Sequence, residues 1–159
     1  MSASKAKARS SLRSLGPAMS KRLLLPLTAD HVRKLSLAAH LALAVYRSGS
    51  GNRNQLYTLI RATYLSYFLW QTGYGDATKH FYCEVEAELD NLAKRAELDD
   101  DWNMSDAAFE AISNVMRVYD EQISSVSVEK FVDCQSKLER FILVQIPQHV
   151  EKAESTRAA

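Results

Sequence analysis

Acid is almost missing from the first half of this chain. Residues 1–75 hold a single acid, Asp30, beside eleven Lys and Arg, whereas residues 76–159 hold eighteen acids and nine bases. The formal whole-chain charge of +1 therefore hides two halves of opposite sign. Such asymmetry predicts contact with nucleic acid, an anionic surface or a charged partner. Cysteine is nearly missing too. Cys83 and Cys134 lie far apart and form no CxxC pair, so each reads as a small buried apolar side chain in a reducing, cytoplasmic compartment. Long apolar runs are lacking: the longest, Leu35 to Tyr46, has twelve residues and includes His40, too short to span a bilayer. No alternating period-two stretch is long enough for a strand, and no internal repeat is present.

Catalytic signatures are lacking as well. There is no GxSxG elbow and no GxxxxGK[ST] loop. His40, amid the alanines and leucines of its segment, reads as a satisfied core histidine. The paired ExxH motifs of di-iron bundles are also missing. The nearest approach to a metal set is the row Asp76, His80, Glu84 and Glu88, every fourth residue, with Cys83 beside it. Positions i and i+4 share a helix face, so Asp76, His80, Cys83 and Glu84 are weak metal candidates. The expectation is no metal, no cofactor and no enzymatic activity.

What is present is helical period. Apolar residues make up 47% of the chain, ordinary for a domain that buries most of its unfolded surface without staples. Residues 1–22 carry six bases, no acid and little to bury, and predict a flexible arm. The arm reads as a solvated tail, as a phosphate-contacting segment, or as a transit peptide, which such Arg- and Ser-rich, acid-poor segments resemble in composition. Met19 opens MSKRLLLPL, a second candidate start. Without the preceding residues the bases Lys5, Lys7, Arg9 and Arg13 vanish, yet the polarity remains.

Thr28 caps a first helix over Ala29 to Arg47 with Asp30 in its first turn. It is apolar nearly all round, which predicts a central position. SGSGN (48–52) is a turn by composition. A second helix, about Asn54 to Gln71, is the most aromatic part of the chain. TGYG (72–75) ends it, and Asp76 caps a third to about Leu98, whose apolar stripe is narrow and whose outer side is acidic. Ser105 caps a fourth with a clean apolar row from Phe109 to Ile123. A fifth, with Val128, Phe131, Val132, Leu138, Phe141 and Ile142 on its core face, runs to about Ile146 before Pro147 stops it. The fold expected is all-α: a single compact bundle of about five helices, the first two innermost, with a flexible basic N-terminal arm. The expected division is a disordered basic arm over 1–27, a helical domain over 28–147 and a flexible tail over 148–159. A helix ending in a Gly-rich turn, then an aromatic and an acidic helix, is similar to helical reading frames of bacterial mobile elements. No specific motif carries that likeness, and it transfers no functional residue.

The function expected is a non-enzymatic binding or regulatory protein using a charge-polarised surface, with a protein partner. A homo-oligomer by charge complementarity is a variant of that reading. The alternative is a nucleic-acid-binding accessory or transcriptional regulatory protein. The contact candidates are Lys5, Lys7, Arg9, Arg13, Lys21, Arg22, Arg33, Lys34, Arg47, Arg53, Tyr57 and Arg61; Tyr64, Tyr67, Trp70 and Tyr74 could add stacking surfaces, though Tyr64, Phe68 and Trp70 read first as core. The expected acidic face is Glu84, Glu86, Glu88, Asp90, Asp99, Asp100 and Asp101. Trp102, amid those aspartates, either pins its loop to the bundle or anchors a partner. A second alternative is a metal-binding protein centred on the third helix.

Overall fold

Helix caps set most of the architecture. The computed structural model describes residues 17–157, with side chains from 20 to 144. It is all-helical: α1 (Pro17–Leu23), α2 (Ala29–Arg47), α3 (Arg53–Gln71), α4 (Lys79–Asp99), α5 (Asp106–Ser125) and α6 (Val128–Arg157). Thr28 Oγ1 accepts from the His31 amide at 3.3 Å and Ser105 Oγ from the Ala108 amide at 3.1 Å, as the sequence predicts. Asn52 caps α3 through the Asn54 amide at 2.9 Å. The cap of α4 is Thr78, whose Oγ1 accepts from the Phe81 amide at 3.2 Å, and not Asp76. Each such cap contributes about 1 kcal/mol.

Three expectations are corrected. The arm does not extend to residue 27. Pro17 opens α1, a position where its missing N–H costs nothing, and residues 24–27 form a strap against the α5–α6 junction. Leu27 donates to the Val126 carbonyl at 3.2 Å, Val128 donates to the Leu25 carbonyl at 2.9 Å, and Leu27 and Val126 are buried. The last helix does not end before Pro147 but runs to Arg157. Proline forfeits one backbone hydrogen bond without obliging the helix to end. Finally, α2 is not central. The innermost pair is α3 and α5: α3 packs against α2, α4, α5 and α6, and α5 against α2, α3 and α4. Helices α2 and α4 each lie on both members of that pair and share no substantial contact with each other. They occupy opposite outer corners of the bundle.

The core joins Leu59 and Leu69 of α3, Leu92 of α4, Ile112 and Met116 of α5, and Phe131 and Leu138 of α6. Val132, expected on the core face of α6, is exposed; Cys134 takes an inward place instead. A polar knot crosses this interior. Gln122 and Ser66 are fully buried. Gln122 Nε2 donates to the carbonyls of Ser66 and Tyr74, both at 3.0 Å, and its Oε1 accepts from Ser66 Oγ at 2.7 Å. A serine hydroxyl carries one proton, so Tyr82 is the donor in the 2.9 Å contact between its hydroxyl and Ser66 Oγ. The knot ties α3, α4, α5 and the 72–75 turn together. Gly75 (φ 81°) sits against it, where a Cβ would come 3.1 Å from Gln122 Nε2.

Candidate functional site

Charge is where the sequence pointed, and folding redistributes it. Of the contact candidates, Lys5, Lys7, Arg9 and Arg13 lie outside the described residues. Lys21 and Arg22 are exposed on α1, Arg33 and Lys34 in the first turns of α2, and Arg53 at the start of α3. Several first-half bases are already engaged. Lys34 meets Asp30 at 2.8 Å, Arg47 meets Asp106 at 2.6 Å, and Arg61 pairs with Glu139. That last contact holds the Glu139 carboxyl below the usual range. The two halves of the chain thus meet across α2–α5 and α3–α6. Lys21, Arg22, Arg33 and Arg53 make no ion pair with any described residue.

The aromatic row of α3 is mostly spent on packing. Tyr67 and Trp70 stack at 5.7 Å, Tyr64 lies 4.9 Å from the Phe141 ring, and Tyr67 and Trp70 both meet Tyr82. The Trp70 indole N–H donates to the Ala77 carbonyl at 2.8 Å. Tyr57 remains exposed, with Arg61 over its ring and donating to its hydroxyl at 3.1 Å.

The acidic row is a real face. Glu84, Glu86 and Asp90 are exposed on α4 and Glu88 is half-buried. Six acids stand against three bases along this helix, whereas α2 carries one acid and three Lys or Arg. With α2 and α4 at opposite corners, the bundle keeps a basic flank and an acidic one. Two contacts engage the row: Tyr64 donates a short, charge-assisted hydrogen bond to Glu86 at 2.5 Å, and Glu84 sits 3.2 Å from the exposed His80. At the end of α4 the chain turns through Asp100 in the left-handed region (φ 51°). Asp101 accepts from the Asn103 amide at 3.0 Å and from Arg95 at 2.9 Å. The Asn103 bonds, then Arg95, hold its carboxyl below the ordinary value. Trp102 is half-buried against the core, with its indole N–H on Asp100 at 2.8 Å. It pins the loop, the first of its two readings.

The metal candidates do not converge. His80 and Glu84 form an exposed pair on one face, Asp76 lies before the Thr78 cap, and Cys83 is exposed. Among the described residues no three His, Cys, Asp or Glu side chains group closely enough to hold an ion. Cys83 was expected to be buried and is not; Cys134 is buried, and burial raises its thiol pKa. His40 is likewise no core residue. It is exposed on α2, 2.8 Å from Asp120. It borders an open groove of about 610 Å³ between α2 and α5, lined also by Leu43, Ala44, Arg47, Phe109 and Arg117. Sequence reading missed this groove, since its two walls, Arg47 of α2 and Phe109 of α5 for instance, are far apart along the chain. Arg47 lies 4.6 Å above the Phe109 ring there.

Among the described residues no helix is long and apolar enough to cross a membrane. No family model, no curated protein and no solved structure matches this chain.

Proposed function

We propose that this chain is a non-enzymatic binding protein, a helical bundle that engages a macromolecular partner through a charge-polarised surface. The acidic flank of α4 is the contact face, and a basic protein segment is the partner class. One observation carries the reading: in the row Glu84, Glu86, Glu88 and Asp90, away from α2, the last two have no ion pair or side-chain hydrogen bond with a described residue, and Glu84 meets only the exposed His80. The first-half bases Lys34, Arg47 and Arg61, by contrast, already have carboxylate partners. Uncommitted charges at a rim steer encounter and set salt sensitivity. Two free cysteines accord with a cytoplasmic setting.

The test is a charge reversal of Glu84, Asp90 and Glu97 to Lys, all exposed. Affinity capture with the native chain should retain basic proteins that elute at moderate salt, and the triple variant should lose them. Identical proteins on both would refute the reading. A nucleic-acid-binding role is the second reading, favoured by Lys21, Arg22, Arg33 and Arg53, which pair with no described acid. Retardation of a generic duplex that weakens steeply with salt supports it; no retardation at low salt removes it.

A further inference from the structure

We propose that the outward face of α2 is the interface of a two-fold dimer of this chain. The inference does not rest on the acidic-flank reading, because it concerns the opposite corner of the bundle. Leu37 and Leu41 stand one turn apart and are 54% and 55% exposed. Single exposed leucines need no explanation. Two on successive turns, flanked by exposed Ala38 and Ala44, form a contiguous strip. Residues 30, 34, 37, 41, 44 and 48 are spaced alternately four and three apart, the seam along which one helix lies against another. The far side of α2 is covered by α3 and α5. Among the described residues nothing covers the seam, and through Ala44 it runs into the α2–α5 groove.

The charges choose the occupant. Asp30, Arg33 and Lys34 sit at one end of α2 and Arg47 at the other. A parallel pair would set Arg33 and Lys34 against their own copies. An antiparallel pair with Leu37 against Leu41 of the second copy sets Lys34 against Ala44 and brings Asp30 beside Arg47. It also opposes the helix dipoles and places cations near carbonyl ends. Arg47 keeps donors free for this, since its side chain is 58% exposed despite Asp106. Such a face is complementary to itself. Residues 1–16 of the same chain would meet Arg33, Lys34 and Arg47 with bases only, so repulsion disfavours them. One helix pair buries less than the roughly 1,200 Å² of a stable interface. Association is therefore expected on the order of tens of micromolar.

Sedimentation equilibrium of the full chain decides this. From about 5 to 500 µM, a range spanning that dissociation constant, the native chain should pass from monomer to dimer and no further. Leu41→Glu should weaken association by about tenfold or more with an unchanged circular dichroism spectrum. Leu37→Ser serves if that variant does not fold. Asp30→Arg and Arg47→Asp should each weaken it alone, by like charges meeting twice. Their equimolar mixture should recover native association, because the mixed dimer restores both contacts. A chain that stays monomeric throughout overturns the proposal. So does a mixture no stronger than its parts, or a ladder beyond the dimer that Glu84→Lys abolishes, which would mark head-to-tail assembly.

Discussion

Helices α2 and α3 are the same length and almost equally apolar, with twelve and eleven apolar residues of nineteen. Yet α2 buries four residues and α3 eight. What separates them is charge. Helix α2 carries Asp30, Arg33, Lys34 and Arg47 about its outward side and leaves only the strip of Ala39, Ala42, Leu43 and Tyr46 inward; α3 carries Arg53 and Arg61. A charge is far costlier to bury than a leucine is to expose. Of these two, the helix with fewer charges takes the centre; α5 shares that place with five charged side chains because Asp106, Glu110, Arg117, Asp120 and Glu121 all lie off its buried row. The polar groups of α3 are small and can be satisfied inside, as Ser66 is by Gln122 and Tyr82. Apolar count alone misplaces α2.

Matched truncations test that contrast most strongly. Leu69→Ala on α3, a residue with no exposed surface, should cost about 3–4 kcal/mol in urea unfolding. Leu41→Ala on α2 should cost under about 0.5 kcal/mol when measured at low micromolar protein. Equal losses would mean that the outer face of α2 is covered in the monomer.

The polar knot gives a second, smaller break. Gln122→Leu keeps the volume but leaves the Ser66 and Tyr74 carbonyls and the Ser66 hydroxyl without their partner. The expected loss is about 3 kcal/mol. Tyr82→Phe, which removes one donor at the edge of the knot, should lose only about 1 kcal/mol. If Gln122→Leu is neutral, the centre is held by apolar packing alone, and the distinction between α3 and α2 reduces to area.

Local rules made most of the helices legible. Thr28 and Ser105 declare their caps by residue type, and the row from Phe109 to Ile123 declares its inward face by spacing. The order of packing was not legible, because it depends on which pairs of helices can share charge and shape. Arg47 reaches Asp106 across 59 positions and Arg61 reaches Glu139 across 78, so a polarity plain along the chain is partly cancelled in space. Gln122 left a readable trace: it is a polar residue on the inward stripe of α5, between Tyr119 and Ile123. Its partners Ser66 and Tyr74 left none. The acidic outer side of α4 was legible at Glu84, Glu86 and Asp90, since an amphipathic helix shows both sides in its period; the half-burial of Glu88 and the engagement of Asp101 by Arg95 were not. Trp102 packs half-buried against the core, a placement that its acidic sequence neighbours could not show.

Tyr46 supplies the finest comparison, because it is the aromatic side chain α2 contributes to the interior. Burial raises its phenol to about 12 from 10. In the unfolded chain it ionises near the ordinary value of about 10, so the folded state prefers the protonated form. Its contribution is complete below pH 10 and fades as pH climbs toward 12. Tyr64, Tyr82 and Tyr119 are raised in the same direction, each first by burial, so native stability should fall steeply above pH 10. At pH 7, Tyr46→Phe should lose only about 0.5 kcal/mol, since the hydroxyl's bond to the Asn52 carbonyl is a long 3.3 Å. At pH 11 the variant should match or exceed the native chain in urea unfolding, because one buried phenol no longer resists ionisation. The ring itself stays, and it must: a Cβ on Gly51 would lie 2.3 Å from Tyr46 Cε1, so the loop after α2 is moulded to that ring. Should the two unfolding curves instead keep the same separation at pH 7 and pH 11, the phenol is hydrated in the native state. The inner face of α2 would then be as open as its outer one.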